Sequence, residues 1–230
     1  MLRFIVGPVI ILLGVAMCSK SISMENYAET FSFRVLLNDV EVGWHTFQLL
    51  NQGEYLNVRS TMSMDFTVLL IKKVTYRHEA NEVWREGCLH RFTSTTKRDK
   101  KVISISGALE NDKFIVNDGT SDIELGKCVK SFAYWNPKWL DAKFLLNVEN
   151  GKYTPVSQSN QKDPISGFMV KTLGLPKTEI YLEYDESGIW QTLESELKIA
   201  GALKYQRTKE PIGETAVSYT HLTLPTKRIV

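Results

Sequence analysis

Three histidines in the body of the chain, His45, His78 and His90, are the residues whose type most readily suggests proton transfer or metal binding. His78 lies in Tyr76-Arg77-His78-Glu79, and a period of two puts Tyr76, His78 and Ala80 on one face. His45 follows Gly43-Trp44 and shares its face with Phe47. Two imidazoles and a carboxylate from neighbouring strands would suit zinc, yet neither H-x-H nor H-x-x-x-H spacing occurs. A lone histidine in a half-buried sheet is ordinarily a hydrogen-bonded structural residue, so no metal ligand is assigned. Nucleophilic and acid–base chemistry find no better support. The chain has no G-x-S-x-G elbow, no Walker A loop and no G-x-G-x-x-G fingerprint, and its carboxylates are scattered. No catalytic residue and no cofactor are expected.

The most unusual local feature is Ser131 to Leu140, where Phe132, Tyr134, Trp135 and Trp139 crowd around Asn136-Pro137. Tryptophan and tyrosine give a large apolar contact with one polar handle, so this segment could line one end of a cavity and touch an apolar ligand. The plainer reading is a short helix that caps the open end of a core. On the first reading, Tyr134, Trp135 and Trp139 join His45, Tyr76 and His78 as the candidate ligand-binding set, with a lipid or other apolar small molecule as the expected partner. Cys88 and Cys128 are the two cysteines outside the N-terminal segment. In an oxidising compartment they suggest one disulfide closing a loop of about 40 residues, worth roughly 3–4 kcal/mol through the unfolded chain. Neither belongs to a C-x-x-C pair, which argues against a redox or zinc role.

The elements that must hold these residues are strands. Phe31, Phe33, Val35 and Leu37 alternate with polar residues, and after Asn38-Asp39 so do His45, Phe47 and Leu49. Leu56, Val58, Met62, Met64 and Phe66 fall on one face of the next segment. Such alternation is what a strand with one buried and one wet face requires. Turn signals at Asn51-Gln52-Gly53, Glu86-Gly87, Asn111-Asp112, Asn117-Asp118-Gly119, Asn150-Gly151 and Glu186-Ser187-Gly188 are spaced as hairpin connections are. Further strands are expected near 73–85, 89–96, 102–109, 113–117, 153–157, 167–172, 179–184, 189–197 and 203–207. The expected fold is all-β: a single antiparallel meander of ten or more strands, curled into a barrel or half-barrel, with one short helix. So many strands seldom stay open and flat.

With 23% charged and 43% hydrophobic residues the 230-residue chain reads as one folded domain. A net charge of +2 gives no case for nucleic acid, and the basic cluster Lys97, Arg98, Lys100 and Lys101 reads as a solvated hairpin turn. Arg3 and the apolar run Ile5 to Met17, about thirteen residues, have the form of a secretory signal and fall short of the roughly 20 that span a bilayer. Residues 1–23 are therefore expected to be a signal peptide, read by the export machinery and signal peptidase, and the mature form soluble in the periplasm. Val15-Ala16-Met17-Cys18 is the alternative, a lipobox anchoring a lipoprotein through Cys18, though Met17 stands where a small residue is wanted. The β-rich domain is expected over 24–209 and a tail without structure over 210–230. Within it, Val217 to Thr226 looks like the translated adapter of a transposase-based sequencing library, so 217–230 is read as an artefact and His221 is set aside.

Several motifs then occur in a telling order: Val42-Gly-Trp-His-Thr-Phe47, Trp84-Arg-Glu-Gly-Cys88-Leu89, Gly126-Lys-Cys128, Phe132-Ala-Tyr-Trp-Asn-Pro137, Leu145 to Gly151, and Tyr184-Asp-Glu-Ser-Gly-Ile-Trp190. Together they resemble a family of uncharacterised proteobacterial envelope proteins, domain of unknown function 6134, over roughly Thr30 to Tyr205. The resemblance implies export and a cystine between Cys88 and Cys128, and it brings no activity. The chain departs from the family pattern at Val148-Glu149-Asn150, where a Gln-Thr-type pair is usual. The expected function is non-enzymatic binding of an apolar or amphipathic ligand. The alternatives are a structural or assembly factor working through protein contacts, and an enzyme using His78 or His45.

Overall fold

The computed structural model describes residues 28–68, 71–210 and 212. The expected signal peptide, Cys18 and the tail over 217–230 lie outside the described residues. Among the described residues fifteen strands account for most of the chain. The first half is a run of long hairpins: β1 (Ala28–Leu37), β2 (Val40–Gln52), β3 (Tyr55–Val68), β4 (Lys72–Arg85), β5 (Cys88–Arg98) and β6 (Lys101–Glu110). Shorter strands follow: β7 (Lys113–Asn117), β8 (Asp122–Leu125), β9 (Phe144–Asn147), β10 (Lys152–Pro155) and β11 (Ser157–Lys162). The last four are β12 (Met169–Gly174), β13 (Glu179–Tyr184), β14 (Trp190–Leu197) and β15 (Gly201–Thr208).

Thirteen of these form one antiparallel sheet in the order β11-β12-β13-β14-β15-β1-β2-β3-β4-β5-β6-β7-β8. The meander is therefore all-β, as the alternation implies, but chain order and sheet order differ. β15 returns to pair with β1, and the seam lies between β8 and β11, which end the order without pairing with each other. The hairpins are set locally. Asn38-Asp39, Glu86-Gly87 and Asn111-Asp112 have positive φ at both central residues, the geometry of two-residue turns whose twist matches that of the flanking strands.

The sheet curls over its inner face. Strands lie ~4.8 Å apart, so β14 and β2, three steps away in the order, would be ~14 Å apart if flat. Yet Trp190 of β14 lies 5.5 Å from the Phe47 ring of β2, and 4.0 Å from Phe33 of β1. Gly107 allows the same bending on β6: a Cβ there would stand 2.6 Å from the Phe92 ring and 2.8 Å from that of Phe114, which close over it.

What fills the curl is the segment between β8 and β11. It enters at a bridge between Val129 and Leu89, crosses the inner face, and carries the β9–β10 hairpin. Its far turn rests on β5 to β7, where Ser94 Oγ donates to the Val148 carbonyl at 2.5 Å and Gly151 meets Ile105 and Val116. Its other side reaches the opposite end of the sheet, where buried Lys171 of β12 pairs with Asp141 at 2.5 Å and the Tyr184 hydroxyl of β13 donates to the Tyr134 carbonyl at 2.8 Å. One segment thus ties strands far apart in the order.

The expected short helix is not formed; among the described residues there is none. Residues 134–140 make separate turns, with Asn136 N donating to the Ala133 carbonyl and Trp139 N to the Asn136 carbonyl. Pro137 has no N–H and steers Asn136 away from the α region, so consecutive helical bonds cannot build.

Candidate functional site

Five of the six residues singled out from the sequence converge on the inner face. His45 on β2, Met62 on β3, His78 on β4 and Thr96 on β5 are direct cross-strand partners, so the two imidazoles sit on one row with Met62 between them. His45 Nε2 lies 2.7 Å from Ser60 Oγ and its Nδ1 lies 3.1 Å from the Tyr205 hydroxyl; His78 Nδ1 lies 2.8 Å from Thr96 Oγ1. Burial, and next the neighbouring His78, hold His45 well below the usual imidazole range. Burial also lowers His78, against the opposing pull of the Glu149 and Glu79 carboxylates. Both rings are therefore neutral near pH 7, with both nitrogens of His45 and Nδ1 of His78 bonded to hydroxyls that can donate or accept.

Tyr76 is on the next row, and burial followed by the Glu149 carboxylate raises its phenol. The same two causes raise Tyr134. Glu149, at the tip of the β9–β10 hairpin, is thus the acid that faces this cluster of hydroxyls and imidazoles. The Tyr76 hydroxyl and Trp135 Nε1 are buried without a hydrogen-bond partner.

The aromatic segment is spent on packing. Trp135 lies 5.5 Å from Phe47 and meets Trp84 edge-on at 6.3 Å; Tyr134 lies 5.4 Å from Trp190. Trp139, the sixth residue, sits one ring further on, stacked on Trp84 at 4.6 Å beneath the Glu86-Gly87 turn. Below them Glu82 is fully buried. Its Oε2 accepts from Trp84 Nε1 at 3.0 Å and from Ser131 Oγ at 2.9 Å, and burial pushes its carboxyl up to about 7 despite those bonds. The cystine Cys88–Cys128, with Cα atoms 5.0 Å apart, pins the start of the segment beside this contact. The interior is an interlocked core in which most polar groups bond to each other, the Tyr76 hydroxyl and Trp135 Nε1 excepted.

A broad concavity lies on the other face. A groove of about 850 Å³ crosses the outward side of β2 to β8. Register pairing lays one row across it: Gln48, Arg59, Asn81, Thr93, Ser106 and Asn117, each the direct partner of the one before. Beside it runs a second row: Leu50, Asn57, Val83, Arg91, Ala108 and Ile115. A smaller hollow continues from Asn57, Val83 and Arg91 to Tyr55 and His90, whose rings are 5.6 Å apart. His90 belongs here, away from the other two histidines. An extra residue on β5, at the register shift facing Val83 and Trp84, re-aims it, as bulges do.

Sequence reasoning did not find the groove, or the roles of Glu82 and Glu149. The outward positions were legible from alternation, but their alignment into rows depends on the register of five hairpins and on that one bulge.

Among the described residues no three His, Cys, Asp or Glu side chains gather as a metal centre. No curated protein matches the chain. Among solved structures it is similar to a β-barrel-like protein of a domain of unknown function, DUF1849, from Brucella abortus, at 12% identity and a TM-score of 0.52. That match covers 78% of this chain and 95% of the other, and at such identity the likeness is one of fold. The family model for a domain of unknown function, DUF6134, matches residues 33–208, from the first strand through the last, so the chain belongs to that family.

Proposed function

We propose that this chain is an exported, non-enzymatic binding protein of the bacterial envelope that holds an amphipathic ligand in the outer groove of β2 to β8. The observation that carries the reading is the contrast between the two faces. The inner aromatics pack on one another, whereas the outer groove sets a polar row beside a row containing Leu50, Val83, Ala108 and Ile115. A ligand with one polar and one apolar side fits that pairing. Export is supported by the apolar run behind Arg3 and by the cystine, which suits an oxidising compartment. The absence of a catalytic role is supported by the enclosure of His45 and His78: both nitrogens of His45, and Nδ1 of His78, bond to buried hydroxyls.

The test is native mass spectrometry of protein purified from an envelope fraction without detergent, followed by solvent extraction. Wild type should carry a bound small molecule. Ala108→Trp, which fills the groove from its outward side, should lose it while keeping its circular dichroism spectrum. Wild type without any bound mass, or Ala108→Trp retaining it, would overturn the reading.

A further inference from the structure

The groove's side chains narrow the ligand class, on the understanding that the groove is the binding site. We propose that it takes an acidic oligosaccharide, laid across the strands with a carboxylate on Arg91.

The groove floor excludes a peptide bound through its backbone. Such recognition needs a free strand edge, and here the N–H and C=O groups of β2 to β7 are engaged in the ladder on both sides, only β8 at the far end being an edge. Only side chains are left to recognise anything. Along the polar row these are amides and hydroxyls, one per strand: Asn81, Thr93 and Ser106, while the amide of Asn117 is engaged by Asp122 and Gly119 N. Amides and hydroxyls donate and accept at once, as sugar hydroxyls do. The ladder step of ~4.8 Å is close to the length of one pyranose ring, so each successive sugar would meet a fresh polar group. The neighbouring row supplies Val83, Ala108 and Ile115 for the C–H face of each ring.

Charge sets the sign of the ligand. Arg59 is held by Glu79 at 2.9 Å and Arg85 by Glu54 at 2.9 Å. Arg91 is exposed in the groove and has no ion-pair partner among the described residues. Glu110 and Asp122 line the far end, where Asp122 accepts from Asn117 at 2.6 Å. An anionic sugar therefore belongs at the β3–β5 end, with neutral units running toward β8. A guanidinium fork matches a carboxylate in two bonds.

The probes are an α-1,4-linked galacturonate tetramer and the neutral glucose tetramer of the same linkage, titrated calorimetrically into the full mature chain. The acidic tetramer should bind about tenfold more tightly than the neutral one, and Arg91→Gln should erase that difference. Equal affinities, an unchanged preference in Arg91→Gln, or no binding of the acidic tetramer would overturn the proposal. If neither tetramer binds while wild type still carries a mass that Ala108→Trp loses, the ligand class is wrong and the groove reading stands. If Ala108→Trp binds the acidic tetramer as wild type does, the groove itself is wrong.

Discussion

Replacing Glu82 by glutamine should make the protein more stable at alkaline pH and leave the gain absent in acid. The Glu82 carboxyl is buried, and its folded-state pKa is raised from an ordinary 4.5 to about 7. A raised acid binds its proton more tightly in the folded chain than in the unfolded one. Between pH 4.5 and about 7 the unfolded state therefore holds fewer protons, and stability falls as pH rises. Below that window both states are neutral; above it the folded chain carries a buried charge at a cost of about 3 kcal/mol, from ~1.4 kcal/mol per tenfold in proton affinity. Glutamine keeps an oxygen for Trp84 Nε1 and Ser131 Oγ and has no charge to lose. His45 and His78 work in the opposite sense. Their lowered values favour the folded state above the ordinary imidazole 6.5 and destabilise it as pH falls. Wild type alone would thus show two slopes that partly cancel, so the informative quantity is the difference between Glu82→Gln and wild type. Urea unfolding followed by tryptophan fluorescence should show that difference growing by about 3 kcal/mol between acid and mildly alkaline buffer. A flat difference, or one that shrinks as pH rises, would refute the assignment of a neutral buried acid under Trp84.

In the Glu82→Gln background the histidines stand alone, and unfolding free energy should decline from about pH 7 to about pH 5 in the same urea titration. Substituting His78→Gln there should reduce the slope. Reducing the Cys88–Cys128 bond, or replacing both cysteines by alanine, opens a loop of 40 residues and should cost roughly 3–4 kcal/mol by calorimetry. The effect should be larger than at an unconstrained site, because the bond also fixes the entry of the filling segment. Gly43→Ala should prevent native pairing of β2 with β3. A Cβ there would stand 1.9 Å from the Ser63 carbonyl oxygen and 2.8 Å from Met64 Cα, and soluble expression with a wild-type melting temperature would contradict this.

Strand existence was legible because one face had to be buried on nearly every long hairpin, and period-two spacing records that directly. The long first-half strands fall where the alternation puts them. The unrecognised strands are the short ones: β8 is a four-residue edge, β9 lies inside the filling segment, and β11 carries the polar run Ser157–Lys162 with no buried face to alternate against. Sheet order was not legible either. Pairing of β15 with β1 joins residues more than 160 apart, such as Val35 with Tyr205 and Phe33 with Arg207, and no local pattern records them. For the site, chemistry-bearing residue types pointed inward to His45, Tyr76 and His78, and the structure does gather them. Those types are equally what a large interior needs to satisfy its own polar atoms.

The outer rows contain a cost that folding alone does not explain. Asn57 donates to Gln52, and Asn117 donates to Asp122 and accepts from Gly119 N, but Asn81 occupies an outward strand position with no side-chain hydrogen bond among the described residues, although asparagine is depleted in strands relative to threonine or valine. On the same face the sequence elsewhere uses ordinary cross-strand ion pairs instead, Arg77 with Asp65 beyond the groove and Arg59, at its edge, with Glu79. A solvated face under no other demand would extend that pattern. Asn81→Thr tests whether its amide is retained for binding. Threonine has the better strand propensity and keeps a hydroxyl, so the variant should be up to ~1 kcal/mol more stable in urea. It should also bind the acidic tetramer several-fold more weakly, because the two-sided donor–acceptor pair is gone. A variant that gains stability and loses no affinity would mean that Asn81 faces solvent and nothing else. One that loses stability would mean that the amide supports the sheet, in a contact that the twist of β4 against β5 creates.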